Sequence, residues 1–522
     1  MSFRFLLALC LSATVWSQTP VAGGDTKSPA PADPIASAKL LAQRGEFPAA
    51  AAAFKAIVDK DPTSAEAQAG LTRSLLRARK LDEAEAAAKN AVTAVPNSAA
   101  VQAAFGDVGF RAGHLADAEK GYRTALQLDP NSARGWFGMG RMYDMVSMHK
   151  QAKVAFAKAH QLDSEDQQIQ ESWLDSLSYA EQLEFVKKGP SDSTRQRERI
   201  AFLEAAVQKK PWQLVSEIKP IEIRMFPYGR EESSIDRGGQ SGIRPVAKGF
   251  GLSVRFNDHA SATLLLDTGA GGITIGNKLA EKAGVVKFAN SYFGGIGDKG
   301  PVQGYLGWVD KITIGGVEFH HCVVEVSSKN DIADEAGLIG ADVFEKFLVT
   351  LDFKEQKLLL APLPRNPNAT ANDDGPQDRY VAPEMQGYTK IWIFGHDLVI
   401  PVVVSDKVMG NFILDTGASI TSITPRLAEQ ITKVSYQGNY TVSGVSGDVK
   451  RVLEADKAVL QFGKVRVRSD DLPVFDHHIS NYEGTEIAGL ISIRTLVQMK
   501  MTIDYRDGLV NFEVYEFKKA RD

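Results

Sequence analysis

The chain has 522 residues, more than one hydrophobic core can serve, and at roughly 150 residues per domain it implies about three or four domains. A hydrophobic content of 44% with 24% charged residues excludes wholesale disorder. Sixty Lys+Arg against 64 Asp+Glu, net −4, excludes a globally basic nucleic-acid binder, and two cysteines, Cys10 and Cys322, exclude a disulfide framework or a cysteine-rich zinc site.

The N-terminus reads as a targeting segment. Arg4 precedes a short apolar run, Phe5 to Ala13, and Val15-Trp16-Ser17 forms a cleavage-site pattern before Gln18. The expected parts are a signal peptide over 1–17 and a flexible linker over 18–33. Cleavage predicts an exported protein, periplasmic or secreted in a bacterial host, with no transmembrane span once the leader is gone, because the apolar run is too short to cross a bilayer.

From Pro34 the chain is alanine-rich and repeats itself. Pro62, Pro96 and Pro130 lie 34 apart, as do Ala50, Ala84, Ala118 and Ala152, and as do Phe54, Ala88, Tyr122 and Phe156. Small residues allow two helices to cross closely, and proline stops the second helix before the next pair stacks. This period and pattern resemble the tetratricopeptide repeat, with units at about 31–64, 65–98, 99–132 and 133–166. The helical domain is expected over 34–188, with further helices across Gln167 to Lys188 and Ser193 to Lys210. The resemblance implies a concave surface for a protein partner. A helical and extended connector is expected over 189–240.

Beyond Pro211, short β-branched and aromatic runs punctuated by glycine take over. Leu264-Leu265-Leu266-Asp267-Thr268-Gly269-Ala270 recurs as Phe412-Ile413-Leu414-Asp415-Thr416-Gly417-Ala418, with the aspartates 148 apart (415 − 267). A helix is expected after each, at Asn277 to Ala283 and Pro425 to Ile431. Gly337-Leu338-Ile339-Gly340 aligns with Gly489-Leu490-Ile491-Ser492, and Asp352 with Asp504, both at an offset of 152.

These paired segments resemble the aspartic protease superfamily, with two short, retropepsin-like lobes joined in one chain as in the pepsin-like arrangement. The fold class expected is thus multidomain: an all-α tetratricopeptide-repeat solenoid, then two mainly-β aspartic-protease lobes at 241–362 and 385–517, joined by a linker over 363–384. Two like carboxylates facing each other share one proton, so the ionised partner can activate a water while the protonated partner polarises a carbonyl. The resemblance assigns this catalytic pair to Asp267 and Asp415. It places Thr268, Gly269, Thr416 and Gly417 as supporting loop residues, with the two hydroxyls bracing the loops. The substrate is then a polypeptide, and no metal, cofactor or nucleic acid is expected.

Glycine-rich hairpin tips, Phe293 to Gly297 and Val442 to Gly447, are flap candidates through Gly294, Gly295, Ile296, Gly444 and Val445. Tyr292 and Tyr305 are both candidates for a flap tyrosine. Alanine at 270 and 418, where pepsins commonly carry a hydroxyl, predicts a mildly acidic working pH. His320-His321-Cys322 and His477-His478 make poor chelators, since neighbouring strand residues point to opposite faces. The match departs at Ser492 and Arg494, where the first lobe has Gly340 and Asp342. A serine Cβ is expected to crowd the second loop. The alternative functional reading is an exported, non-catalytic peptide-binding adaptor with degenerate lobes; a third arrangement pairs each lobe with its copy in another chain.

Overall fold

The computed structural model describes residues 33–189, 193–228, 248–329, 336–367, 375–435, 442–469, 472–477 and 484–516. The expected leader and nearly all of the linker after it lie outside them.

The 34-residue period produces four helix pairs: Pro34–Gln43 with Phe47–Val58, Ala65–Arg77 with Leu81–Ala94, Ala99–Arg111 with Leu115–Leu128, and Ala133–Met145 with His149–Leu162. The recurring turn works by capping. Ser64, Ser98 and Ser132 each accept a backbone N–H from the first turn of the helix that follows. One turn into each of these helices, Gln68, Gln102 and Trp136 donate back to the carbonyls of Pro62, Pro96 and Pro130, at 2.8–2.9 Å. Ala84, Ala118 and Ala152 are buried where the helices cross. Gln167–Asp175 and Tyr179–Val186 add a fifth pair. Helix Thr194–Lys209 leaves the stack and lays Phe202 on Phe288 and Trp308 of the first lobe.

The segment expected as a connector belongs in part to the β region. Gln213–Leu214, Ile221–Arg224 and Phe226–Tyr228 each pair with a strand that lies beyond residue 248 in the chain. Among the described residues the two lobes carry a nine-stranded and a ten-stranded sheet, and a six-stranded sheet joins them. At the centre of the joining sheet, strands Phe347–Asp352 and Met499–Asp504 run antiparallel, with Thr350 opposite Thr502 and their hydroxyls 2.9 Å apart. These two residues are 152 apart (502 − 350), so the internal repeat found in the sequence becomes a local twofold axis between the lobes.

The described part of the segment expected as a linker, from residue 375 on, is tied down. Arg379 donates to the carbonyls of Asp507, Ile391 and Gly508, and Met385 packs with Ala382 and Leu509. Asp378 accepts the N–H groups of Lys150 and Gln151, placing a carboxylate at a helix N-terminus. The repeats also dock on the second lobe. Phe110 meets Phe394 edge-on, Trp392 packs beside the same aromatic and methionine cluster, and Arg426 pairs with Glu85 and Glu486. Part of the repeat surface is therefore buried within the chain itself.

Candidate active site

Each Asp-Thr-Gly tripeptide ends a buried strand. Ala260–Asp267 lies parallel to Gly337–Gly340, with Asp267 opposite Gly340, and Val408–Asp415 lies parallel to Gly489–Ser492, with Asp415 opposite Ser492. The strands aim both aspartates at the twofold axis from opposite sides.

Four hydrogen bonds lock the loops together. The Thr268 hydroxyl donates to the Leu414 carbonyl at 2.6 Å and accepts the Thr416 N–H at 3.1 Å. The Thr416 hydroxyl donates to the Leu266 carbonyl at 2.8 Å and accepts the Thr268 N–H at 3.0 Å. Both threonines are buried. The glycines allow the close approach: a Cβ at Gly269 would lie 2.9 Å from the Asp415 carboxyl carbon, and one at Gly417 2.3 Å from that of Asp267.

The carboxyls of Asp267 and Asp415 come together across the axis, each lying against the glycine of the opposite loop, and each shifts the ionisation of the other. Their environments differ. Asp267 accepts one loop N–H, from Gly269 at 2.8 Å, whereas Asp415 accepts two, from Gly417 at 2.8 Å and Ala418 at 2.7 Å. Burial, and then the charge of Asp415, hold Asp267 well above the ordinary carboxylate range. Burial also raises Asp415, but the Ala418 N–H, the Asp267 hydrogen bond and the Gly417 N–H oppose it. The shared proton therefore belongs on Asp267 and the charge on Asp415.

The second loop is not crowded by Ser492. In the first lobe a Cβ at Gly340 would strike both Asp342 Oδ1, which folds back to accept the Gly272 N–H, and the Ala270 carbonyl oxygen. In the second lobe Arg494 replaces that carboxylate and is exposed, and the Ser492 hydroxyl instead joins Thr421 at 3.0 Å, which in turn meets Thr495 at 2.9 Å. Three hydroxyls linked through Thr421 thus stand where the first lobe has the aspartate, and Thr421 also accepts the Ser492 N–H.

The glycine-rich tips meet above the pair. Gly295 N–H donates to the Ser446 hydroxyl, Ser446 N–H to the Ile296 carbonyl, and Lys299 N–H to the Ser446 carbonyl, at 2.9–3.2 Å. Ile296 packs near Ala418 with Val399, Ile413 and Leu490 of the second lobe, and a Cβ on Gly295 or Gly444 would press on the opposing tip. Tyr292 is exposed, and Tyr305 lies beneath the Lys287 ammonium against the first-lobe core.

Sequence reasoning missed a group beside the pair. His396, at the turn between strands Trp392–Phe394 and Asp397–Val404, crosses to the first lobe and lies against Gly271. Asp397, Asp342 and Glu325 surround it, all raised by burial. The signal was present at the 148-residue offset: His396-Asp397 corresponds to Lys248-Gly249, so the second copy carries an extra carboxylate there. His320 contacts Glu318, and Cys322 is buried as a free thiol. Among the described residues no group of three or more His, Cys, Asp or Glu could hold a metal ion. His478 lies outside them.

A pseudo-symmetric pair of β lobes, each delivering an Asp-Thr-Gly loop to one carboxyl pair, defines the class of fold. Residues 252–343 and 400–494 match the family model described as aspartyl protease, and 41–106 match one described as tetratricopeptide repeat. The β-rich part of the chain belongs to the aspartyl protease family, and its helical part carries tetratricopeptide repeats. Comparison with curated proteins gave no match.

Proposed function

We propose that the protein is an aspartic endopeptidase that hydrolyses peptide bonds in a cleft between its lobes. The observation that carries this reading is the Asp267–Asp415 pair brought together inside the four-bond threonine lock. Asp415, bearing the charge, takes a proton from a water as it attacks the scissile carbonyl. Asp267, bearing the proton, donates to the carbonyl oxygen and stabilises the charge that develops there. Burial makes both interactions stronger than they would be in water.

The hairpin tips present backbone groups that an extended polypeptide can pair with, and they must part to admit it. The raised carboxyl pair supports a mildly acidic working range, since the pair needs one proton. The leader pattern at 1–17 supports export to a periplasmic or extracellular space. The repeats, beyond the surface buried on the second lobe, serve to recruit a protein substrate or partner.

The test is a peptide-library digest read by mass spectrometry, with wild type beside Asp267→Asn and Asp415→Asn. Cleavage by wild type alone supports the reading, and equal turnover in all three sinks it.

A further inference from the structure

The 34-residue period repeats charged positions as well as core ones. Lys39, Arg73, Asp107 and Arg141 lie 34 apart, one on the first helix of each pair. The first helices of successive pairs pack on one another more closely than the second helices do, so the stack curves with the first helices inside. The four residues form one row across that concave face, and neighbours in it touch: Arg141 Nη2 donates to Asp107 Oδ1 at 2.7 Å.

A second row completes the pattern one diagonal step away. Lys39 pairs with Glu66, 27 residues on (66 − 39). The same step from Asp107 leads to Arg134, which pairs with Asp166, and from Arg141 to Gln168, which accepts from Arg134 at 3.0 Å. Only the step from Arg73 leads to an apolar residue, Ala100. The helix surface around it is alanine as well, with Ala69 one turn before Arg73 and Ala103 one repeat further on.

Arg73 is half-buried, and among the described residues it has no ion pair. Its Nε donates to the Ala69 carbonyl of its own helix at 3.4 Å, a long hydrogen bond. Asp107, its neighbour in the row, is turned to the other side, where Oδ1 takes both Arg141 and the Tyr122 hydroxyl. Burial and then the charge of Arg134 oppose the Arg73 cation more than Asp107 and Asp166 favour it, so its pKa is lowered. A guanidinium drawn partly out of water without an acid beside it is costly, and its planar fork matches a carboxylate.

We propose that Arg73 anchors a carboxylate of a polypeptide partner lying along the concave face of the repeats, in the slot that Glu66 fills for Lys39. The small side chains at Ala69, Ala100 and Ala103 let the partner's chain come close, and the Lys39–Glu66 and Asp107–Arg141 pairs bound the recess on either side. The carboxylate belongs to an acidic side chain or to a chain terminus, which present the same two oxygens. The proposal rests on the reading of the repeats as a recruiting surface and is independent of the peptidase chemistry.

The experiment is capture of short peptides on immobilised full-length protein, in an Asp267→Asn background so that the probes stay uncut, with mass spectrometry as the readout. Three peptide sets are compared: amidated with internal Asp and Glu, free at the C-terminus without acidic side chains, and amidated without either. One or both carboxylate-bearing sets bind and the third does not, and the set that binds identifies the source of the carboxylate. Arg73→Ala weakens that binding by on the order of tenfold to a hundredfold. Ala100→Glu, which supplies the missing internal partner and leaves the arginine and its helix in place, weakens it equally. Equal binding by the three sets, or carboxylate-dependent binding that survives Arg73→Ala or Ala100→Glu, overturns the proposal and leaves the recruiting surface standing. Binding by none of the sets overturns both.

Discussion

Replacing Thr416 by valine removes a hydroxyl and keeps the side-chain volume, so its effect reports the lock rather than a cavity. The change leaves the Thr268 N–H and the Leu266 carbonyl without their partners in a buried setting. Each orphaned group costs about 1–3 kcal/mol, which puts Thr416→Val at about 2–6 kcal/mol. Thr416→Ser keeps both hydrogen bonds and loses one methyl, worth about 0.8 kcal/mol. The chain has several folding units, so a single free energy is not the right observable. Scanning calorimetry can follow the transition of the lobes: at about 2–4 °C per kcal/mol, the valine variant melts at least about 4 °C lower, and the serine variant only about 2–3 °C lower. Turnover falls on the order of a hundredfold with valine, since a loop displaced by about 1 Å misaligns the pair. Equal melting of the two variants, or full activity with valine, would refute the idea that these bonds hold the lobes in register.

Asp504 is buried, with Oδ2 lacking a partner, and burial followed by the charge of Asp507 pushes its pKa up to about 6. Its folded pKa exceeds the unfolded one, so the fold binds the proton more tightly, and stability falls as pH rises from about 4 through about 6. Asp504→Asn therefore raises the melting temperature at pH 8 and leaves it nearly unchanged below pH 4, as differential melting curves will show; a pH-independent effect contradicts this. Phe394→Ala strips the edge-on contact with Phe110 and loosens the repeat domain from the second lobe, at a cost of about 1–3 kcal/mol for a side chain only partly buried. Limited proteolysis should then cut between the two parts faster than in wild type, and an unchanged rate would show that the contact is incidental.

Much of this architecture was legible because its physics is periodic. Alanine and proline at a 34-residue spacing specify helix crossings and stops, and Asn277–Ala283 and Pro425–Ile431 form the helices expected after the two catalytic-type loops. The Asp-Thr-Gly pairs were legible because few other contexts place a carboxylate after a buried strand twice. What composition hid was long-range partnership. Residues 363–384 read as a loose linker because Pro, Asn, Asp and Gly dominate, yet Arg379 finds its acceptors at Asp507 and Gly508, far away in the chain. Ser492 read as a defect because its partner Thr421, just before strand Ser422–Ile423 and 71 residues away, gives no signal in the sequence. His396 was passed over because histidine and aspartate in a tight turn carry no local signal; only superposing the two halves exposes them.

The central claim is that Asp267 and Asp415 act as one unit on one water. Its most direct measurement is kcat/KM for Asp267→Asn, Asp415→Asn and the double variant on a cleaved peptide. Groups that work as a unit are non-additive, so each single substitution should abolish nearly all turnover and the double should be no worse than either. A single variant that retains wild-type turnover, or losses that multiply in the double, would contradict the account.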